Sequence, residues 1–372
     1  MHLTTASPEA IGFDPKRLDI AYDLLRQWTQ SGEVPSGAIA VGRGDKLVAP
    51  QFFGRMGPEP DATPIRDDAM FLMASITKPI VYLGAMLLVE RGQLVLTDRV
   101  TRYLPEFAAH HKEETLVVHL FTHTSGLPDM LPNNVELRKA HAPLSDYVQA
   151  GIRDTVPMFP PGSQLSYQSV GTNLVAEIVR VIDGRPIAQF LHDEIFAPLG
   201  LKAIGLGSQG FGRERLVRVQ MPESQDPTFG WNSEYWQQFG APWGGLFSSP
   251  ADFAVLCRMM LNGGTVGDVR IAAPATIAAM TRNWLPSFPD LPEAVARTQP
   301  WGLGWRLNHP GTDDSWGDLL SPRAFGHTGA TGTLVWMQPE NEVFCILLTS
   351  AIREQRPWRL KQLSNAVAAA IL

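Results

Sequence analysis

Cysteine is nearly absent from this chain, charge is sparse, and no long apolar run crosses it. The two cysteines, Cys257 and Cys345, lie far apart in apolar stretches. That spacing fits neither a metal site nor a redox pair and reads as two small core residues. No stretch reaches the roughly 18 apolar residues of a membrane span. Met1 to Phe13 lacks the charged and apolar regions of a secretory leader, so the expected location is cytoplasmic, or periplasmic or secreted if a signal peptide has been trimmed. Charged residues make up 18% and the formal net charge is −6, a balance that attracts neither a nucleic acid backbone nor an anionic membrane, and neither partner is expected. The chain also has no internal repeat, no low-complexity segment and no Gly-x-Ser-x-Gly, which counts against a strand-turn-helix serine elbow.

What is present is apolar mass divided by many turns. The 372 residues exceed what one core usually serves, so two lobes are expected, and the 33 glycines and 30 prolines imply many defined turns. Asp14 before Pro15 predicts a helix start, with Leu18, Ala21, Tyr22, Leu25 and Trp28 on one face and Gly32 as the stop. Ser36 to Val41 and Lys46 to Phe53 read as a hairpin around Arg43-Gly44-Asp45. Ile76 to Arg91 has a helical pattern, and short helical stretches continue to about Trp243. Strand character returns at Gly302 to Leu307, Thr331 to Met337 and Val343 to Ser350, before a closing helical run from Trp358 to Leu372. These runs predict an α+β fold: one antiparallel sheet, its first and last strands side by side, flanked by helices. Residues 1–75 and 245–372 would form that lobe and residues 76–244 a mostly helical one, with the active site in the cleft between them.

Three short elements could carry chemistry. Ser75-Ile76-Thr77-Lys78 sets a hydroxyl and an amine three residues apart at a helix start, close enough to share a proton. Such a pair arises by chance about once in three chains of this composition, so its setting matters. Ala74 and the apolar helix behind Lys78 would limit hydration of the amine, and desolvation favours its neutral form. Phe159-Pro160-Pro161-Gly162, followed by Tyr167-Gln168-Ser169, looks like a rigid turn presenting a tyrosine. A half-buried structural phenol is the ordinary reading; a phenol drawn toward its anion by a nearby cation such as Lys78 is the functional one. Phe325 to Gly332, with Gly326, Gly329 and Gly332, would let backbone approach a ligand closely before a strand.

In this order and over nearly the whole chain, these elements resemble the beta-lactamase-related serine hydrolases: class C beta-lactamases, D-alanyl-D-alanine peptidases and family VIII carboxylesterases. The family's Ser-x-x-Lys, Tyr-x-Asn and Lys-Thr-Gly look like Ser75 to Lys78, Tyr167 to Ser169 and His327 to Gly329 here. Two further stretches are similar as well, Leu120 to Pro128 and Gly244 to Asp252. The resemblance implies a beta-lactamase-like fold, an acyl-enzyme on Ser75, and proton transfer by Lys78 and Tyr167. It further implies an oxyanion hole from the N–H groups of Ser75 and Ala330, with Ser169, His327, Thr328 and Gly329 against the substrate. Which of Lys78 and Tyr167 is the base in acylation stays open.

This sequence departs from the pattern twice. Ser169 stands where the family has asparagine and lacks its reach. His327 stands where the family has lysine, removing a permanent charge from the place where penicillin-type ligands put a carboxylate. Both favour ester cleavage of a small-molecule substrate. A beta-lactamase, peptidase or amidase with the same residues is the alternative, and a non-catalytic binding or assembly module a further one, disfavoured because Ser75, Lys78 and Tyr167 are all present. No cofactor and no metal are expected. Gly205 to Gly210 matches a dinucleotide fingerprint only in letters, and His119 and His123 have metal-ligand spacing without an acidic or cysteine partner. Trp231, Trp236, Trp243, Trp301 and Trp305 read either as an acyl pocket or as core.

Overall fold

A computed structural model of the chain describes residues 3–222, 226–312, 316–353 and 358–372. An eight-stranded sheet is built from β1 (Thr4–Thr5), β2 (Ser36–Arg43), β3 (Lys46–Leu47), β4 (Gln51–Gly54), β5 (Arg306–Leu307), β6 (Phe325–Gly329), β7 (Thr333–Gln338) and β8 (Val343–Thr349). Its order is β1-β3-β2-β8-β7-β6-β5, with β4 also on β2. The expected closure of first on last is present: Gly37 to Arg43 of β2 pair antiparallel with Thr349 to Val343 of β8. The β1–β3 pair is parallel.

Side chains on alternate sides of this sheet enter different cores, as the period of two requires. Ile39, Val41, Leu334, Trp336, Cys345 and Leu347 pack with the buried faces of α1 (Pro15–Gln30) and the C-terminal helix, residues Trp358–Ala369. Ala38, Ala40, Val335, Met337, Ile346 and Leu348 join the larger core that runs into the helical part of the chain. Both faces are covered, which is why β8 is buried from end to end. Asp14 caps α1 as expected, its carboxylate accepting the N–H groups of Lys16 and Arg17.

Two expected strands are shorter than their apolar runs. Lys46 to Phe53 divides into β3 and β4 around Pro50, which has no N–H for a ladder. Of Gly302 to Leu307 only β5 remains; Gly304 (φ +83°) passes so near Tyr82 that a Cβ there would lie 2.2 Å from its ring.

In the helical part, α2 (Thr77–Glu90) is buried without a break from Thr77 to Leu88 and packs on α3 (Val170–Asp183). A helix apolar on all sides belongs in an interior. Beside α2, a short sheet joins Phe71–Leu72, Leu246–Ser248 and Ile204–Leu206, and so fixes the chain just ahead of Ser75. Gly205 thus lies in a strand, but positive φ at Gly207 and Gly210 turns the chain and only a 3-10 turn, Arg213–Arg215, follows. The helix that a dinucleotide site needs is missing at that place. Among the described residues no helix is long and apolar enough to cross a membrane.

Candidate active site

Ser75 sits in a 3-10 turn, Ala74–Ile76, one step before the α-helix expected to hold it. Ala74 has φ +48°, a conformation few non-glycine residues adopt. Thr77 pins the turn: its Oγ1 donates to Ala74 O at 2.6 Å and accepts the N–H of Leu246 at 3.0 Å. One helical turn on, Lys78 is 1% exposed, with Nζ 3.2 Å from Ser75 Oγ and 2.9 Å from Trp243 O. Burial pulls the Lys78 amine down to about 7, against the opposing pull of Asp129. A neutral Nζ can still donate to Trp243 O while offering its lone pair to the Ser75 proton.

The tyrosine loop is tied to the Leu120 to Pro128 stretch, whose task the sequence did not reveal. Gly162 N–H donates to Thr124 O, Ser166 N–H to His123 O, and Gln168 N–H to His123 Nδ1 at 3.1 Å. Ser125 Oγ adds a bond to Gln168 Oε1 at 2.7 Å. The loop so held places the Tyr167 ring 4.7 Å under Lys78 Nζ. Its buried hydroxyl has no hydrogen bond of standard geometry, although Ser75 stands near enough to favour its anion. Burial outweighs that effect and holds the phenol well above its ordinary pKa, with Asp129 acting in the same direction. The expected drawing-out of a phenolate by Lys78 is therefore not met: the ring faces an amine that is itself short of charge.

The glycine-rich strand reaches the same place. A Cβ on Gly329 would lie 2.5 Å from Met73 O, so only glycine lets β6 come this near to the Ser75 turn. Thr331 Oγ1 donates to Leu72 O at 2.9 Å and Thr333 Oγ1 to Met73 O at 3.1 Å. These bonds set Ala330 in the cavity wall that also holds Ser75. Thr328 Oγ1 accepts Nη1 of Arg353 at 2.9 Å. His327 Nδ1 lies 2.7 Å from Thr328 O, and since a carbonyl only accepts, Nδ1 carries the proton. Burial, reinforced by Lys78, holds His327 down to about 3, so the residue is a neutral ring here and not a substitute cation.

These elements border a cavity of about 650 Å³. Trp231, Trp236, Trp243 and Trp301 line it, whereas Trp305 packs on Phe325 outside it. Ser169 also borders it, but its hydroxyl donates to Asp129 Oδ1 at 2.7 Å, so the polar end presented there is the Asp129 carboxylate. Asp129 and the Trp243 carbonyl were not found from sequence, and His123 was weighed there only as a metal ligand. Asp129 directly follows the Leu120 to Pro128 stretch and could have been suspected; a backbone carbonyl leaves no signal. His119 Nδ1 accepts the N–H of Leu116 and its ring packs on Phe288, while burial lowers the pKa of both His119 and His123. Among the described residues no group of three His, Cys, Asp or Glu could hold a metal ion.

The model of the beta-lactamase family matches residues 22–368. A Salmonella schwarzengrund protein named D-alanyl-D-alanine carboxypeptidase is 29% identical over 93% of this chain and 85% of its own length. A solved penicillin-binding protein homologue from Caulobacter crescentus superimposes with a TM-score of 0.75 at 22% identity, covering 96% of this chain and 99% of that one. A family VIII carboxylesterase structure does so with 0.74 at 19%, with the same coverage of 96% and 99%. At these identities the two structures speak to the fold alone.

Proposed function

The chain belongs to the beta-lactamase family and is a serine hydrolase; from that premise we propose that it cleaves carboxylic esters through an acyl-enzyme on Ser75. The observation that carries the reading is the buried Lys78 amine, 3.2 Å from Ser75 Oγ and pulled down to about 7 by burial. Neutral Nζ takes the Ser75 proton as Oγ bonds to the carbonyl carbon, and the carbonyl electron pair moves onto its oxygen, received by the N–H groups of Ser75 and Ala330. Collapse breaks the bond to the alcohol oxygen, which regains the proton from Lys78 by way of the Tyr167 hydroxyl. Water then attacks the acyl carbon, its proton follows the same path, and Ser75 leaves reprotonated. One alcohol and one carboxylic acid result. In this account Lys78 is the base and Tyr167, kept protonated by burial, the carrier.

His327, Thr328, Ser169 and Asp129 line the cavity that receives the ester, and Gly329 lets the strand of His327 and Thr328 approach Ser75. The neutral state of His327 and the indole-lined cavity support an uncharged acyl centre over a ligand anchored by a lysine. A fluorophosphonate should add once, at Ser75, in an intact-mass measurement, and Ser75→Ala should lose p-nitrophenyl ester turnover. Turnover at the wild-type level in that variant ends the assignment.

One observation favours a second reading. Arg353 donates to Thr328 and lines the cavity with Arg306, and two cations there would attract a peptide carboxylate, in keeping with the name of the Salmonella relative. Release of D-alanine from a D-alanyl-D-alanine peptide faster than any ester is cleaved would select that peptidase reading, and ring opening of a chromogenic cephalosporin a beta-lactamase.

A further inference from the structure

One corner of the cavity serves no step of the cleavage described above. Arg138, on the short helix Asn134–Lys139, lays its guanidinium 4.1 Å above the ring of Trp236. Trp236 packs edge-on against Trp243 at 6.2 Å, and the Trp243 carbonyl takes Lys78 Nζ. Arg138 therefore ends an aromatic wall that begins at the amine beside Ser75.

Among the described residues no carboxylate pairs with Arg138; the groups bearing on its charge are the phenols of Tyr147 and Tyr235, and burial lowers its pKa. Its Nε is buried without a hydrogen-bond partner. The residue is half-buried, and a partly desolvated guanidinium without an anion is more costly than one in water. Stacking on the indole fixes the plane of the guanidinium and leaves its edge for a planar acceptor. Asn134, four residues earlier on the same helix face, also lines the cavity. Its Oδ1 has no partner, so no hydrogen bond from that oxygen fixes the amide, which carries two N–H donors as well as the acceptor. The cation at this corner is the Arg138 guanidinium, and the Asn134 amide adds N–H donors beside it. The Asp129 carboxylate, held by Ser169, borders the same small pocket as Asn134 and Trp243, so its repulsion leaves an anion the Arg138 side of Asn134.

We infer that Arg138 and Asn134 form an anion-recognition end of the acyl pocket, and that the preferred ester carries a carboxylate several bonds from the scissile carbonyl. The inference rests on the ester reading above. The guanidinium edge and the Asn134 NH2 donate to the carboxylate, and the indoles of Trp231 and Trp236 flank the methylene chain.

The p-nitrophenyl hemi-esters of adipate, suberate and sebacate, each compared with the uncharged hexanoate, octanoate or decanoate, test this. In the wild type, one hemi-ester should exceed its uncharged match in kcat/KM. Arg138→Gln should lower that ratio about 10- to 100-fold, the size of a charge-assisted hydrogen-bonded pair. Arg138→Met, which keeps the apolar stem on Trp236, should do the same and stands in if the glutamine variant does not fold. Equal ratios in the wild type and the variants at every chain length overturn the inference. Calorimetric binding of the adipate, suberate and sebacate monoamides to Ser75→Ala protein, with and without Arg138→Gln, reads the anion end without turnover. Absence of all ester cleavage by the wild type refutes the ester reading alone, whereas monoamides that bind equally with and without Arg138→Gln refute the anion site alone.

Discussion

Two lysines of this protein, Lys78 and Lys112, are equally hidden, each 1% exposed, and each lies over an aromatic ring. Burial pulls Lys78 down to about 7 and Lys112 to about 8, in each case against a nearby aspartate. They differ in the hydroxyl they meet. Lys112 Nζ donates to Ile152 O and to Thr155 Oγ1, but Thr155 already gives its proton to Gly151 O at 2.7 Å. Ser75 Oγ makes a hydrogen bond with Lys78 and, among the described residues, donates to no carbonyl. Desolvation alone thus yields a weakly basic amine; reactivity needs a neighbouring proton that is not already committed. Lys112 instead ties the chain at Ile152 to the turn after Phe107, a structural use of the same buried charge.

The contrast is sharpest under substitution. Lys78→Met should reduce ester kcat/KM by roughly 10³- to 10⁴-fold, the upper part of the ~10²–10⁴ span of a positioned general base, with the fold kept; a loss below tenfold would place the base elsewhere. Tyr167→Phe, which removes the carrier and leaves Lys78 beside Ser75, should cost about 10²-fold, mostly in kcat, read by steady-state kinetics on one uncharged ester. The acid limb comes next. Lys78 must be neutral, so with its pKa near 7 the rate should fall about tenfold per pH unit below that value and level off above it. The break should stay put in Lys112→Met; a rate flat from pH 5 to 8 contradicts the assignment. Smallest in turnover is Lys112→Met itself, expected to alter kcat/KM by less than about twofold. It should cost about 1–3 kcal/mol in urea unfolding, because Ile152 O and Thr155 Oγ1 lose their donor.

Both shifts bear on stability with one sign. The unfolded chain keeps these protons to the ordinary lysine range near ~10.4, while the folded amines release theirs from about 7 or 8, so the free energy of unfolding should rise with pH across that window.

Ser75 and Lys78 were legible because their relation is local: three residues on a helical path fix their distance whatever else the chain does. The closure of β2 on β8 was legible from strand runs at both ends. Tyr167 needed the resemblance, since its loop is shaped by Thr124, Ser125 and His123, which sequence presents only as a polar turn. The state of His327 was read only halfway. Loss of the lysine charge was visible, but a ring that is neutral because it is buried beside Lys78 follows from packing between β6 and α2. Arg138 gave no signal at all, because an arginine in a charged surface segment looks ordinary until Trp236 is found under it.

The pairing of β2 with β8 also orders events on the ribosome. Ser75, Lys78 and Tyr167 emerge while the strands that back them, down to Val343–Thr349, are still untranslated. Until those arrive, Thr331 and Thr333 cannot clasp Leu72 and Met73, and the Ala330 amide is absent. A nascent chain therefore carries its serine unarmed, and long-range contacts of this kind form slowly. Competence to be acylated comes as the final act of folding, and a chain cut short before β6 should never acquire it.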